Sequence, residues 1–183
     1  MNQRPLNLCG FCNHKLVYDI VPDNQKEIGL DNIYIQRQDL RWDSLEQIDG
    51  TCFRFNFGSF DNVVCDSQII PIRENVKKLH VLGFAYWGDT SEIFQIKYLD
   101  GSVEMYNVPF VDWSHRAVDN VNNAYIFQGK KISTPKIVIS SGALIHTVHI
   151  HHCICDLDTE RTIKEIVFPD NMFIHIFAVT IEN

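Results

Sequence analysis

The stretch from Lys77 to Trp113, KKLHVLGFAYWGDTSEIFQIKYLDGSVEMYNVPFVDW, decides the fold class of this chain. Near its middle, Asp100-Gly101 separates two runs in which apolar and polar residues alternate. Asp-Gly between alternating runs is typical of a two-residue hairpin loop, because a type I′ turn needs positive φ at both central residues. We therefore predict three successive antiparallel strands, at Leu79–Tyr86, Ile93–Leu99 and Val103–Phe110.

A two-residue turn at Asp100-Gly101 determines the register of this hairpin. Ile96 then lies opposite Met105, and Lys97 lies opposite Glu104 as an opposite-charge cross-strand pair. Because side chains alternate between the faces of a strand, each face of the hairpin has its own set of residues. One face collects Phe94, Ile96, Tyr98, Val103 and Met105, and the other carries Gln95, Lys97, Glu104 and Tyr106.

Short runs rich in β-branched and aromatic residues recur along the rest of the chain, with turn signals such as Asp49-Gly50 between them. Many short strands separated by turns are typical of a β-sandwich or a β-barrel. Phe173–Ile181 is apolar on both faces, which favours a strand that is covered on both sides. Asp39–Gln47 is the segment for which we predict a short helical turn. The length of 183 residues suits a single all-β domain, residues 1–183.

Five motifs follow one another through much of the chain: Asn62-Val63-Val64, Gln68 to Ile72, Leu82-Gly83 with Gly88-Asp89, Tyr98-Leu99-Asp100-Gly101, and Phe110-Val111-Asp112-Trp113. In this order they resemble the galactose-binding-domain-like modules attached to bacterial glycosidases and other cell-surface proteins. The resemblance implies an antiparallel jelly-roll β-sandwich that binds carbohydrate. It also implies a structural calcium ion near the chain termini, for which Asp19, Asp23, Asp31 and Glu182 are candidates.

The order of the predicted strands places a candidate binding site at one end of the sandwich. The loop at 87–92 and the segment after Phe110 lie at the same end, and loops at the end of a sandwich are common binding sites. Aromatic rings suit the C–H face of a sugar, and charged side chains bond its hydroxyls. The alternative to ligand contact is a structural role, in which Trp113 packs under the sandwich as a plug and Trp87 anchors the loop. The predicted ligand-binding residues are Trp87, Asp89, Asp112, Trp113, His115 and Arg116.

The Cys9-Gly-Phe-Cys12 motif is open to a metal interpretation. A redox pair needs a helix after the first cysteine, and the residues that follow are not helical. A zinc site needs a second pair of ligands, which Cys153 and Cys155, or the His151-His152 pair, would supply. The alternative is two buried thiols that act as small apolar side chains.

Histidines and cysteines are concentrated in the run from His146 to Cys155. On a strand, His149, His151, Cys153 and Cys155 point to one face, and His146 and His152 point to the other. The HxH pair of His149 and His151 resembles the metal-binding pair of cupins. The alternative is a polar sheet surface or a subunit interface.

Composition and charge exclude several classes of function. The net charge of −7 argues against a nucleic-acid surface, since phosphate contacts need clustered lysines and arginines. No apolar run is long enough to span a bilayer, and the N-terminal residues lack an apolar segment of signal-peptide length, so we expect a cytosolic protein. We find no Gly-x-Ser-x-Gly elbow, phosphate loop or dinucleotide fingerprint, and we predict that the chain is not an enzyme.

We therefore predict a non-catalytic module that binds carbohydrate through loops at one end of a β-sandwich. We predict no cofactor and no nucleic-acid or membrane partner; zinc and structural calcium are the metals left open. Two alternatives for the function also stay open. One is a cytosolic structural or interaction protein that forms a homo-oligomer through a sheet face, and the other is a β-sandwich with a His/Cys metal site.

Overall fold

The computed structural model describes residues 2–19, 29–30, 33–39, 43–114, 121–131, 144–158 and 160–183. Within these ranges the regular structure is β-strand, apart from a 3₁₀ turn at Arg37–Asp39. The predicted all-β class is confirmed. The strands are β1 (Gln3–Pro5), β2 (Val17–Tyr18), β3 (Ile33–Gln36), β4 (Leu45–Ile48), β5 (Thr51–Arg54), β6 (Val63–Val64), β7 (Ile69–Glu74), β8 (Lys78–Ala85), β9 (Thr90–Tyr98), β10 (Val103–Phe110), β11 (Val121–Lys131), β12 (Leu144–Asp156), β13 (Ile163–Val167) and β14 (Ile174–Glu182).

Most of these strands belong to two sheets of a β-sandwich. The first sheet has the order β1-β14-β8-β12-β11-β3-β2, with β6 also paired to β14, and the second has the order β10-β9-β13-β7. Strands β4 and β5 form a separate hairpin. An apolar core that includes Val81, Phe94 and Ile96 joins residues of the two sheets. A second cluster, with Phe53 and Phe84 among its members, brings residues of β5 and of the N-terminal segment against the first sheet.

Strand β14 is buried along its whole length, from Ile174 to Glu182. It pairs with β1 on one side and β8 on the other. Ile176 belongs to the first apolar cluster, whereas the neighbouring Phe177 belongs to the second. The prediction of a strand covered on both faces is therefore confirmed. Where β8 meets β14, a Cβ atom on Gly83 would lie 2.5 Å from the His175 carbonyl oxygen, so the close approach requires glycine.

The β9–β10 hairpin forms as predicted, but its register differs by one residue. Glu104 lies opposite Ile96, and Tyr106 lies opposite Phe94. A shift of one residue moves every side chain of β10 to the other face. Val103 and Met105, which we predicted on the same face as Ile96, are therefore exposed while Ile96 is buried, and the predicted faces of β10 are wrong.

The predicted pairing of Lys97 with Glu104 is wrong for the same reason. The Lys97 ammonium lies 3.0 Å from a carboxylate oxygen of Glu165 on β13 instead. Glu104 forms an ion pair with Arg161 and accepts hydrogen bonds from the hydroxyl groups of Tyr98, at 3.0 Å, and Tyr106, at 2.7 Å. Lys97 and Glu104, which the predicted register paired with each other, therefore each form an ion pair with a residue outside the hairpin.

The helical turn predicted at Asp39–Gln47 is wrong from Leu45 on, and residues 40–42 of that segment lie outside the described residues. Strand β4 begins at Leu45 and pairs with β5, with Ile48 opposite Thr51. Asp49 and Gly50 connect the two strands with φ of 49° and 76°. Positive φ at both central residues is the requirement of a type I′ turn, so this Asp-Gly pair closes a hairpin and draws the preceding residues into a strand.

Candidate functional site

The end of the sandwich that contains Trp87 is assembled from the loop after β8 and the segment after β10. The Ala85 amide donates to the Val111 carbonyl oxygen at 2.9 Å, and the Trp113 amide donates to the Ala85 carbonyl oxygen at 3.0 Å. These two bonds form a short parallel bridge between Ala85 and Asp112. The prediction that the two segments lie at the same end is confirmed.

Two predicted site carboxylates hold this loop in place. Asp112 is buried and accepts a hydrogen bond from the Gly88 amide at 2.6 Å through Oδ2. Its Oδ1 accepts the Ser114 amide at 2.8 Å. Asp89 accepts the Asp112 amide at 2.7 Å. Asp89 and Asp112 therefore bridge the two segments and fix the backbone immediately after Trp87.

The two predicted tryptophans have opposite environments. Trp113 is buried and lies against Phe84, with ring centroids 5.5 Å apart, and against Tyr86 edge to face at 5.3 Å. The alternative of a packed plug is therefore confirmed for Trp113. The side chain of Trp87 is 75% exposed, although indole is a large apolar group.

The backbone of Trp87 is also unusual. Its φ is 89°, in the region that residues other than glycine avoid, and Gly88 follows with φ of 106°. A bulky residue in this region costs about 1–3 kcal/mol, and such strain tends to persist at functional positions. The bonds of Asp89 and Asp112 hold this conformation, so the loop presents the indole to solvent at an energetic cost.

The loop between β13 and β14 extends the apolar surface beside Trp87. Met172 is 68% exposed and Phe173 is 44% exposed. The rings of Trp87 and Phe173 lie 6.4 Å apart. We call these three side chains the Trp87 platform.

Two cavities that share four residues lie beside the platform, and together we call them the groove. The first has a volume of 570 Å³ and is lined by Asn13, Val64, Cys65, Asp66, Asp170, Asn171, Met172 and Phe173. The second has a volume of 400 Å³ and is lined by Asn13, His14, Leu30, Val64, Tyr86, Met172, Phe173 and His175. Sequence reasoning identified Trp87 but missed these walls. The Pro169-Asp170-Asn171 turn signal was the available indication, and nothing in the sequence joined it to the N-terminal segment.

The polar groups of the groove divide into occupied and available ones. The Asn13 side chain accepts the Val64 amide at 2.7 Å and donates to the Val64 carbonyl oxygen at 3.0 Å. Asn171 donates to Glu92 at 2.7 Å. The carboxylates of Asp66 and Asp170 are exposed, and within the described part of the chain no hydrogen bond or ion pair engages them.

Two histidines at the inner end of the groove belong to a buried polar network. His175 lies 2.9 Å from the Asn62 amide oxygen, and the Asn62 amide nitrogen contacts His14 at 3.2 Å and donates to Asp61 at 2.9 Å. Burial lowers the pKa of His14 and lowers that of His175 to about 3. Both imidazoles are therefore neutral at pH 7, and the open side of the groove carries the negative charges of Asp66 and Asp170.

The remaining predicted site residues, His115 and Arg116, lie outside the described residues. The calcium candidates Asp23 and Asp31 also lie outside them. Among the described residues, no three His, Cys, Asp or Glu side chains are arranged to hold one metal ion.

The His/Cys row of β12 lies inside the protein. His149 and His151 are buried, and Cys153 and Cys155 belong to the core between the sheets, so the alternative of a polar surface or subunit interface is wrong for this row. Burial raises the pKa of Cys153 to about 12 and that of Cys155 to about 11. Thiols in this state are neutral and unreactive at pH 7. His152 points to the opposite face as predicted, where its ring contacts Phe53 edge to face at 5.2 Å.

Cys9 and Cys12 are free thiols, the first exposed and the second partly buried against the core. The remaining cysteines are also free, including the buried Cys65. No helix in the described ranges combines the length and hydropathy that a membrane span requires.

Residues 45–183 match the model of the AziU2-like beta-sandwich domain family, which spans more than half of the chain. The chain therefore belongs to the AziU2-like beta-sandwich domain family. No curated protein matches it. The family match agrees with the β-sandwich seen in the structure and carries no information on a ligand.

Proposed function

We propose that this chain is a non-catalytic binding module that takes a carbohydrate, or a similar polyhydroxylated ligand, on the Trp87 platform and in the adjoining groove. The observation that supports it best is Trp87 itself. Its indole is 75% exposed on a backbone with φ of 89° that the surrounding hydrogen bonds hold in place. An apolar ring kept in solvent at the cost of strain is expected where a ligand covers it.

The chemistry of the surface suits a neutral sugar. The rings of Trp87 and Phe173 offer an apolar platform for the C–H face of a pyranose. The carboxylates of Asp66 and Asp170 can accept hydrogen bonds from hydroxyl groups at the edge of the same surface. Because these carboxylates are negative and the neighbouring imidazoles are neutral, uronic acids and sulfated sugars would be repelled.

The resemblance to galactose-binding-domain-like modules supports the same class of ligand. In this proposal Asp89 and Asp112 position the loop, Trp113 packs beneath it, and Trp87 makes the ligand contact. We place the protein in the cytosol, in keeping with its six free thiols.

A panel of neutral and acidic oligosaccharides, screened by ligand-observed NMR and followed by calorimetry, tests the proposal. We expect binding to neutral members, and we expect Trp87→Ala to weaken it by about tenfold or more through the loss of stacking. Met105→Ala is the matched control, because Met105 is also an exposed apolar side chain and lies on the second sheet. Absence of binding to every sugar by the folded protein would overturn the proposal.

Trp87→Gly separates a ligand contact from a loop anchor. Glycine adopts positive φ without strain, so this variant should raise the free energy of unfolding by about 1 kcal/mol while it weakens binding at least as much as Trp87→Ala does. If Trp87 anchored the loop by packing, the same change would lower the free energy of unfolding. Denaturant titration of both proteins decides between the two roles.

A second candidate function is self-association, and one observation favours it. Ile93, Val103 and Met105 are each about half exposed or more on the second sheet, at 53%, 47% and 62%. A second copy would cover these apolar side chains. The mass of the protein in solution, measured by light scattering with Met105→Lys as the disrupting variant, tests this candidate independently of sugar binding.

A further inference from the structure

Four titratable side chains form a line beside the β4–β5 turn, in the order Asp49, His152, His80 and Glu182. We call this line the histidine array. His152 Nδ1 lies 3.7 Å from Asp49 Oδ2. His152 Nε2 lies 3.1 Å from His80 Nδ1, and His80 Nε2 lies 3.6 Å from Glu182 Oε2. The array lies on the opposite face of β12 from His149 and His151, and it is separate from the groove.

The centre of the array is sealed from water. His80, His152 and Glu182 are buried, with 4%, 1% and 5% of their surface exposed, whereas the Asp49 carboxylate is half exposed. The two outer imidazole nitrogens, His80 Nε2 and His152 Nδ1, have no hydrogen-bond partner within ordinary distance. The carboxylates are thus the nearest charged groups for both of these nitrogens.

While both imidazoles are neutral, they cannot place an N–H towards each carboxylate and also form a hydrogen bond with each other. A neutral imidazole carries one N–H and one lone pair. The contact between His80 Nδ1 and His152 Nε2 needs one N–H and one lone pair, so one ring must place its other lone pair towards a carboxylate. If both outer nitrogens carry N–H towards Asp49 and Glu182 instead, two lone pairs face each other at 3.1 Å, and the Thr51 hydroxyl, 3.4 Å from His80 Nδ1, can donate to only one of them.

One added proton removes this conflict. With three N–H groups on the pair, both outer nitrogens face carboxylates as donors, and the inner contact keeps one donor and one acceptor. We propose that His80 and His152 bind a single proton between them, and that this proton fastens the β4–β5 turn to the C-terminal strand β14 through Asp49 and Glu182.

The surrounding charges fix the direction of the effect. Burial lowers the pKa of His80 and of His152, so the proton is taken up below pH 6.5. Glu182 and Asp156 raise the pKa of His80, and Lys78 lowers it. Asp49 raises the pKa of His152, and each ring lowers that of the other once it is charged. A second proton is therefore excluded until much lower pH.

The segments joined by the array are already linked by one side chain. Gln3 donates to the Gly50 carbonyl oxygen at 3.3 Å and to Glu182 at 3.4 Å, and it accepts the Cys52 amide at 3.0 Å. Local opening of the turn would remove Asp49 from the charged pair while the imidazoles stay buried. Protonation therefore disfavours this opening, even though acid lowers the stability of the whole fold.

Nitrogen-15 NMR of the histidine side chains of the full chain, titrated from pH 8 to pH 4.5, tests the proposal. We expect His80 and His152 to shift together, with one common midpoint below pH 6.5 and a total of one proton. Asp49→Asn and Glu182→Gln should each lower the midpoint by about one pH unit, and Lys78→Met should raise it. His175 is the internal control, because its signal should not follow these variants.

Hydrogen exchange at Cys52, whose amide donates to Gln3 at 3.0 Å, gives the structural readout. After correction for the intrinsic rate, protection should increase on passing below the midpoint, and Asp49→Asn should abolish the increase. Two separate midpoints would overturn the proposal, and so would a midpoint that stays the same in all three charge variants. Stoichiometric zinc binding that abolishes the titration would also overturn it, since a metal ion would then occupy the inner contact.

Discussion

Two Asp-Gly pairs close hairpins in this molecule, and they do so differently. Asp49-Gly50 forms a two-residue turn, with Ile48 opposite Thr51 and positive φ at both turn residues. Asp100-Gly101 lies in a three-residue loop, in which the Tyr98 amide bonds the Ser102 carbonyl oxygen at 3.0 Å and only Gly101 has positive φ. The same dipeptide therefore leads to registers that differ by one residue.

The side chains of the two aspartates account for the difference. Asp100 accepts a hydrogen bond from the Ser102 amide at 2.8 Å, a local bond that stabilises an ordinary turn. The Asp49 carboxylate lies near His152 instead, 3.7 Å from its ring. Beyond the second turn, Arg161 bonds both Ser102 and Glu104 and holds the observed register. Turn chemistry indicates a hairpin, but partners outside the hairpin select among its registers.

The largest expected effect is that of acid on the large sheet, which contains buried imidazoles, whereas Asp100 of the other hairpin lies near Arg161. Burial also lowers the pKa of His151, to about 4. The unfolded chain binds protons at these positions near pH 6.5, so their contribution to stability is complete above pH 6.5 and is lost as the pH falls towards 4.

We expect the free energy of unfolding to fall by about 3 kcal/mol over that range from His151 alone. Urea titrations at pH 7.5, 6, 5 and 4 measure it, and about 2 kcal/mol of the fall should be present at pH 5. His151→Gln should flatten part of the dependence. A free energy that does not change between pH 7 and pH 5 would contradict the prediction.

A pair of substitutions, one in the core and one on the surface, tests the difference in register. The two-residue turn would place Ile96 and Met105 opposite each other on one face, whereas the structure buries Ile96 and exposes 62% of Met105. Ile96→Ala should therefore lower the free energy of unfolding by about 3 kcal/mol, and Met105→Ala should change it by less than about 0.5 kcal/mol. Equal losses in denaturant titration would favour the two-residue turn.

Substitution of the turn glycines should show what the two hairpins share. Gly50 and Gly101 both have positive φ, and a Cβ atom at either position meets nothing within 4 Å. Each Gly→Ala change should therefore cost about 1–2 kcal/mol from the backbone alone. The measurement is thermal unfolding of the two variants, and a large gap between them would indicate a packing effect that the structure lacks.

The smallest expected effect comes from Asp100→Ala, and it is a change of register. Removing the Asp100 bond to Ser102 should increase the population of the two-residue turn, in which Lys97 lies opposite Glu104. Cross-strand NOEs between Lys97 and Val103 should weaken relative to the wild type. Asp49→Asn is the control, because asparagine tolerates positive φ and should leave the register of the β4–β5 hairpin unchanged.

The sequence predicted those features of the fold that depend on local patterns. The three strands around Asp100-Gly101, the covered strand β14 and the shared end of the Trp87 loop and the segment after Phe110 all follow from alternation and chain direction. The register of β10 could not be predicted in this way, because Arg161 lies far along the chain and its contact with Glu104 has no sequence signature.

The candidate site was predictable to a smaller extent. Trp87 could be placed at a loop end, but Asp112 and Trp113 are buried, and their residue types could not separate a structural role from ligand contact. The walls of the groove come from the N-terminal segment and the loop before β14, as Asn13 and Asp170 illustrate. Only the folded chain brings them together.

The position of β14 between β1 and β8 has a consequence for synthesis of the chain on the ribosome. Strand β14 fills the gap between β1 and β8, two strands that precede it by a long stretch of chain. Until it emerges, β8 has an open edge and the core lacks one of its most buried strands. The nascent chain therefore exposes apolar surface until β14 has been synthesised, and the dominance of such distant pairings predicts slow folding.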